Sequence, residues 1–221
     1  MPSQQVTILA VSDEVVPFIY STQLKQRFRQ VDFVIACGDL PFYYLEFIAT
    51  VLAVPVYYVH GNHDQKNQVF ADGHTSTEPE GCLSLEGQIT SEQGLMMTGL
   101  GGSIRYRPDG HNQYTQSEMY WRSWRLWPRL WWKRYRSGRP LDVLVAHSPP
   151  FGIHDLPDPA HIGFHAFLTL MRLFQPKLFL HGHCHVYRND TITRTVFSQT
   201  QVVNVYPYRL LHYQPSTGFV V

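Results

Sequence analysis

The sequence predicts an α/β fold built on two sheets, and three observations carry that expectation. Apolar, β-branched runs alternate with segments of helical spacing through the first sixty residues and again from residue 141. Such alternation is the pattern of parallel strands joined by crossover helices. The middle and the tail add short β-rich runs punctuated by glycine, enough for further strands. No repeat or low-complexity linker interrupts the chain, so residues 1–221 read as a single domain.

The elements follow in order. Residues 6–12 form a β-branched strand run, and Ser21 is placed to cap a helix carrying Leu24 and Phe28 on one face. Residues 32–36 make a second buried strand, 42–52 a helix and 54–59 a third strand. Residues 83–85 and 95–100 read as strands, set apart by Gly87 and Gly94. The glycine-rich and polar stretch 101–116 reads as a long loop, followed by a Trp/Arg-rich helical insertion at about 116–137. Strand 141–146, helix 164–174 and strand 178–180 resume the alternation. The tail from Thr191 holds three short β-rich pieces, the last at 218–221.

Composition narrows the function classes. A 44% hydrophobic and 16% charged chain of 221 residues is long enough to bury a substantial core. The net charge of +1 supplies no global field for nucleic acid, so none is expected as a partner. Cys37, Cys82 and Cys184 form no even disulfide framework, which points to a reducing compartment. There is no basic stretch followed by an apolar run at the start, and no apolar window of about 18–20 residues. The cytoplasm is the expected location.

The informative pattern is where metal-type residues fall. Five separate apolar runs end in Asp13, in Gly38-Asp39, in His60-Gly61-Asn62-His63-Asp64, in His147-Ser148-Pro149-Pro150 and in His181-Gly182-His183-Cys184-His185. In open α/β sheets, sites form beyond the carboxyl ends of parallel strands, so these residues can converge from distant positions. Carboxylate, amide oxygen and imidazole together suit a pair of divalent transition metals, with Mn, Fe, Zn or Ni preferred over Ca. Two such ions would carry enough positive charge to attract a phosphate and orient a water for in-line attack.

The Gly38, Gly61, His147 and Gly182 blocks resemble those of calcineurin-like metallophosphoesterases and stand in that family's order, across residues 13–185. The resemblance implies a two-sheet β-sandwich flanked by helices, and metal-dependent hydrolysis of a phosphomonoester or phosphodiester. It implies that Asp39 bridges two metals, manganese first among the choices. Asn62, His147 and His183 would complete one site, while Asp13 and His185 would serve the other. His63 would be the acid/base residue facing the leaving-group oxygen, work suited to an imidazole near neutral pH. Arg105 or Arg107, on the loop after the 95–100 strand, and Asn62 are the candidate phosphate contacts. A solvated arginine is the plain alternative for Arg105.

One block departs from the family. Its first motif is Asp-x-His, and here it reads Asp13-Glu14-Val15. Valine cannot bind metal, so the Asp13 and His185 site lacks one ligand. Water, an inward Glu14 or a tyrosine are the three repairs. Purple acid phosphatases place a tyrosine three residues after the bridging aspartate. Here that position is Phe42, with Tyr43 and Tyr44 just beyond. The departure also supports a second function class, a scaffold that keeps the fold without turnover and binds a protein partner or membrane.

Outside the blocks, His181 and His60 are expected in supporting positions, Asp64 in shaping its loop and Cys184 in packing. Asp155, Asp158 and His161 lie in a Pro-rich loop that either lines the site or simply turns. Residues 117–136 hold all five tryptophans and six basic residues. On a helical wheel Arg122, Arg125, Arg129, Lys133 and Arg136 share one face, opposite Tyr120, Trp124, Trp127 and Trp131, with a break expected at Pro128. The simplest reading packs these tryptophans on the domain. The alternatives are a contact with an anionic membrane and a contact with a protein partner.

Overall fold

The strand that opens the chain, Val6–Val11, lies at the centre of a mixed sheet. Phe33–Ala36, Val56–Tyr58 and Leu83–Ser84 follow it in parallel on one side. Tyr208–Gln214 and Gly218–Val220 pair antiparallel on the other. A second sheet centres on four parallel strands, Leu95–Leu100, Val143–Ala146, Leu178–His181 and Thr200–Asn204. Its edge strands, Ile89–Glu92 and Arg194–Phe197, are antiparallel. This computed structural model describes residues 5–64, 67–69, 73, 75–139, 141–215 and 217–220.

Alternation along the strands decides how the layers stack. Successive side chains of a strand face opposite sides of its sheet. Ile8 and Ala10 therefore enter the core between the sheets, with Phe33, Ile35, Val145 and Leu180. Leu9 and Val11 face outward, against Tyr44, Leu45 and Ile48 of helix Phe42–Leu52. Beyond the second sheet, Leu144 and Phe179 pack on Phe167 and Leu170 of helix His165–Phe174 and on Met119 and Leu130. The result is a two-sheet sandwich flanked by helices, as expected. Burial on both faces is why the central strands read as continuous apolar runs rather than alternating ones.

Four expectations change. Ser21 does not cap a helix: its Oγ donates to the Phe18 carbonyl at 2.7 Å, and the single turn Leu24–Arg27 has no side-chain cap. The stretch 101–116 is not a plain loop, because Ser103–Ile104 pairs in parallel with Gln113–Tyr114. The tail contributes four strands instead of three, two to each sheet. Val221, at the end of the last one, lies outside the described residues. The helical insertion at about 116–137 splits into two helices, Gln116–Trp124 and Trp127–Ser137, but the break falls at Arg125–Leu126, ahead of Pro128. Pro128 stands in the first turn of the second, where its missing N–H leaves no helical bond unmade. A reciprocal pair of bonds between Thr115 and Glu118 caps the first.

Candidate metal centre

The structure gathers the five strand ends at one edge of the sandwich. Asp39, His147 and His183 each offer a ligand atom within 4.8 Å of the others and form a candidate metal site. Asn62 Oδ1 lies 3.0 Å and Asp39 Oδ2 3.3 Å from His147 Nε2. Asp13 stands alongside, its two oxygens accepting the His183 backbone N–H at 3.0 and 3.1 Å. His185 Nε2 lies 3.7 Å from Asp13.

Local backbone makes this approach feasible. Asp13, Asp39 and His183 all adopt left-handed φ, at 66°, 56° and 66°. Few residues other than glycine do so, and such conformations cluster where function requires them. The neighbouring glycines leave room. A Cβ at Gly61 would overlap the Asp39 carboxylate, and one at Gly182 would overlap Ser12 and Asp13. Glycine at these two block positions is thus a matter of close approach.

Hydrogen bonds orient the imidazoles. His147 Nδ1 donates to the Cys37 carbonyl at 2.8 Å, leaving Nε2 for the cluster. His183 Nε2 donates to the Ala160 carbonyl at 2.8 Å. Behind them runs a chain of neutral groups. The Thr195 hydroxyl donates to His154 Nε2, His154 Nδ1 to His181 Nε2, and His181 Nδ1 to the Gly182 carbonyl. His181 is fully buried and supports the strand end that carries His183. The acceptors Asp39 Oδ2 and Asn62 Oδ1 both face His147 Nε2, and a single proton there can serve only one of them. A cation satisfies all three, and this donor set fits a divalent transition metal.

The protein side chains weighed as repairs for the second half of the site, Glu14 and Tyr43 or Tyr44, are engaged elsewhere. Val15 packs on the apolar cluster under helix Phe42–Leu52. Tyr44 is buried in that same cluster, and Tyr43 is exposed against Tyr20. Glu14 accepts a hydrogen bond from the Tyr206 hydroxyl at 2.7 Å. The Tyr206 ring stacks on His185, with centroids 4.6 Å apart. Tyr206, Tyr106 and the Ala160 carbonyl are neighbours of the site that sequence reasoning missed. The Tyr106 phenolic oxygen accepts from Asn62 Nδ2 at 3.2 Å. Asn112, on the same loop, donates to the Gly61 carbonyl at 3.0 Å.

Other expected residues divide. Asp64 accepts from the Leu40 and Gly61 N–H groups, so it shapes the loop. His60 is half-buried and pairs with Asp64 at 3.4 Å. Cys184 is buried. The Pro-rich loop does line the site, with the His161 ring 4.9 Å from that of His183. Asp155 accepts from Gly163 N–H within its own loop. Arg105 pairs with Glu118 at 2.9 Å and donates to the Gln113 carbonyl.

Burial and charge set the protonation of the cluster without metal. Burial opposes charge on His147, but the Asp39 carboxylate outweighs it and lifts the imidazole to about 9. Burial would raise Asp39, yet His147 holds it down at about 2. Desolvation presses His183 and His181 down to about 3 and His154 to about 4. A hydrogen bond to Asp13 raises His185. These directions predict a stability maximum for chelator-treated protein near pH 6.5. Above it, the stabilisation from the raised His147 and His185 is lost as pH rises through their folded values. Below it, His154, His181 and His183 stay neutral when folded and take protons when unfolded, so stability falls with pH. Thermal melts from pH 4.5 to pH 9.5 in EDTA check this, and a melting temperature that climbs steadily across that range contradicts it.

The comparisons with known proteins agree with the fold. The profile of the calcineurin-like phosphoesterases matches residues 6–187, and the chain belongs to that family. An uncharacterized protein of Haemophilus influenzae is 26% identical over 145 residues, which are 59% of this chain and 62% of that protein. The chain thus spans under two thirds of that relative's length. One crystal structure matches with a TM-score of 0.64 at 14% identity, covering 98% of both chains. The crystal structure of TT1561 from Thermus thermophilus matches with a TM-score of 0.59 at 16% identity, over 91% of this chain and 89% of that one. No helix among the described residues is long and apolar enough to cross a membrane.

Proposed function

We propose that this protein hydrolyses a phosphate ester with two divalent metal ions. The observation that carries the reading is the cluster of Asp39, His147 and His183 within 4.8 Å, beside the Asp13 and His185 pair. In this reading Asn62, His147 and His183 would hold one ion and Asp13 and His185 the other, with Asp39 shared between them. Divalent cations held there supply Lewis-acid stabilisation of charge on the phosphoryl group. His63 follows Asn62 on the same turn, and its backbone N–H donates to Asp39 at 2.7 Å. That bond ties the turn to the cluster, and the exposed His63 side chain borders a hollow of about 190 Å³ with Asp39 and Phe42. There His63 donates a proton to the departing oxygen. The pocket is open, so phosphomonoesters and small phosphodiesters both fit the proposal.

The test combines metal analysis with turnover. Purified protein reconstituted with Mn is expected to hold two ions per chain and to cleave an aryl phosphate ester. EDTA is expected to abolish turnover and Mn to restore it. The Val15 position favours one competing reading, a scaffold with an incomplete second site. One ion or none per chain, with no turnover under Mn, Ni or Zn, would establish that scaffold instead.

A further inference from the structure

The tryptophans of the helix pair divide: Trp127 and Trp131 pack edge to face on Phe174, as the simplest reading expects, and the other three do not. Trp121, Trp124 and Trp132 are 64%, 53% and 56% exposed, and Tyr135 is 89% exposed. The helices are anchored by other residues, Met119, Leu126 and Leu130. Tyr120, Trp121, Trp124 and Trp127 line a shallow apolar hollow of about 260 Å³. Trp121 and Trp124 meet edge to face there, with ring centroids 5.4 Å apart. Exposed aromatic surface of this extent on a folded domain marks a contact with something else.

Charge says what that something is. Residues 116–139 carry seven of the chain's eighteen Lys and Arg but one of its seventeen Asp and Glu, namely Glu118. The segment is therefore +6 on a protein of net charge +1. Some of its cations are committed inward: Arg122 pairs with Glu86, and Arg139 pairs with Asp142. Among the described residues, no carboxylate pairs with Arg125, Arg129, Lys133 or Arg136. Arg136 lies over the Trp132 ring at 5.3 Å and Arg134 over Trp131 at 5.4 Å, so cation and aromatic adjoin along the second helix.

The geometry points to this helix pair as a docking surface for an anionic lipid bilayer. Tryptophan and tyrosine are the side chains that settle at headgroup depth, and flanking Lys and Arg are drawn to anionic lipids. Exposed Leu, Ile and Val, which a protein-binding groove would use, are absent from the patch among the described residues. The helices also follow directly on the loop whose Tyr106 and Asn112 contact Asn62 and Gly61. Docking would hold the metal centre close to the lipid surface. The proposal does not depend on turnover.

Co-sedimentation of the full chain with vesicles tests it. Vesicles of phosphatidylcholine with about one third phosphatidylglycerol are expected to bind at least about tenfold more tightly than phosphatidylcholine alone. Binding should weaken as salt rises and shift tryptophan emission to the blue. The surface variant R125E/K133E is expected to lose about tenfold or more in partitioning. W121S/W124S/W132S should abolish the emission shift while far-UV circular dichroism stays unchanged. If that variant does not fold, the charge variant and the lipid comparison still decide. Absence of binding, or equal binding to both vesicle types, overturns the proposal. So does a wild-type dimer that R125E/K133E dissociates, because the face then joins two copies of this chain.

Discussion

Replacing Asp39 with asparagine is expected to lower Mn-supported hydrolysis of an aryl phosphate ester by at least about 10³-fold. Asp39 serves two neighbours. One oxygen accepts the His63 N–H at 2.7 Å and the other faces His147 Nε2 at 3.3 Å. Asparagine has a single carbonyl oxygen, so its NH₂ must point at either the His63 N–H or the cluster. It also removes a negative charge from where the proposal places two cations. Metal titration of the variant should show weaker binding in parallel with the lost turnover. His147→Ala is expected to fail equally, since it removes the ring that both Asn62 and Asp39 face. Wild-type turnover in both variants would dismiss the assignment of this cluster as the catalytic centre.

Gly38→Ala is expected to cost about 3 kcal/mol of stability, from left-handed strain and overpacking together. Gly38 has φ +91°, and a Cβ there would come within 2.6 Å of Gly61 N and 2.8 Å of His147 Nδ1. Both are fixed atoms, one in backbone and the other in a ring held by Cys37. Gly81→Ala is the control. Its φ is +71°, but nothing lies within 4 Å of the added carbon, so only the backbone strain of about 1 kcal/mol remains. Urea unfolding in EDTA compares the two, read as midpoint shifts at constant slope. Equal midpoints would show that the turn between Gly38 and Gly61 can relax, and that close packing there is not a constraint.

Much of the fold was legible because burial on both faces writes itself into the strands. Runs such as Val6–Val11 and Val143–Ala146 are continuously apolar, and that pattern needs no partner to be seen. The helix Phe42–Leu52 was equally legible from its spacing. Ser21 misled because a hydroxyl can serve a turn carbonyl as readily as a helix N-terminus. The parallel pair inside 101–116 was invisible, since two-residue strands carry no period.

The sequence by itself determined the family and the set of strand-end residues, because each block is local and its order along the chain is conferred by covalent linkage. Only the tertiary structure decided which of those residues share space and what stands beside them. Tyr206 lies far from Glu14 and His185 is remote from Asp13 in the chain, yet both pairs meet, the first through a tail that adds strands to each sheet and the second at the end of a central strand of the second sheet. The partner of Arg105, Glu118 on the cap of the next helix, likewise came only from the folded arrangement. The tryptophans had a helical stripe of their own, but a stripe does not say which side faces the core. Met119, Leu126 and Leu130 took that side with Trp127, and Trp121, Trp124 and Trp132 were left outside.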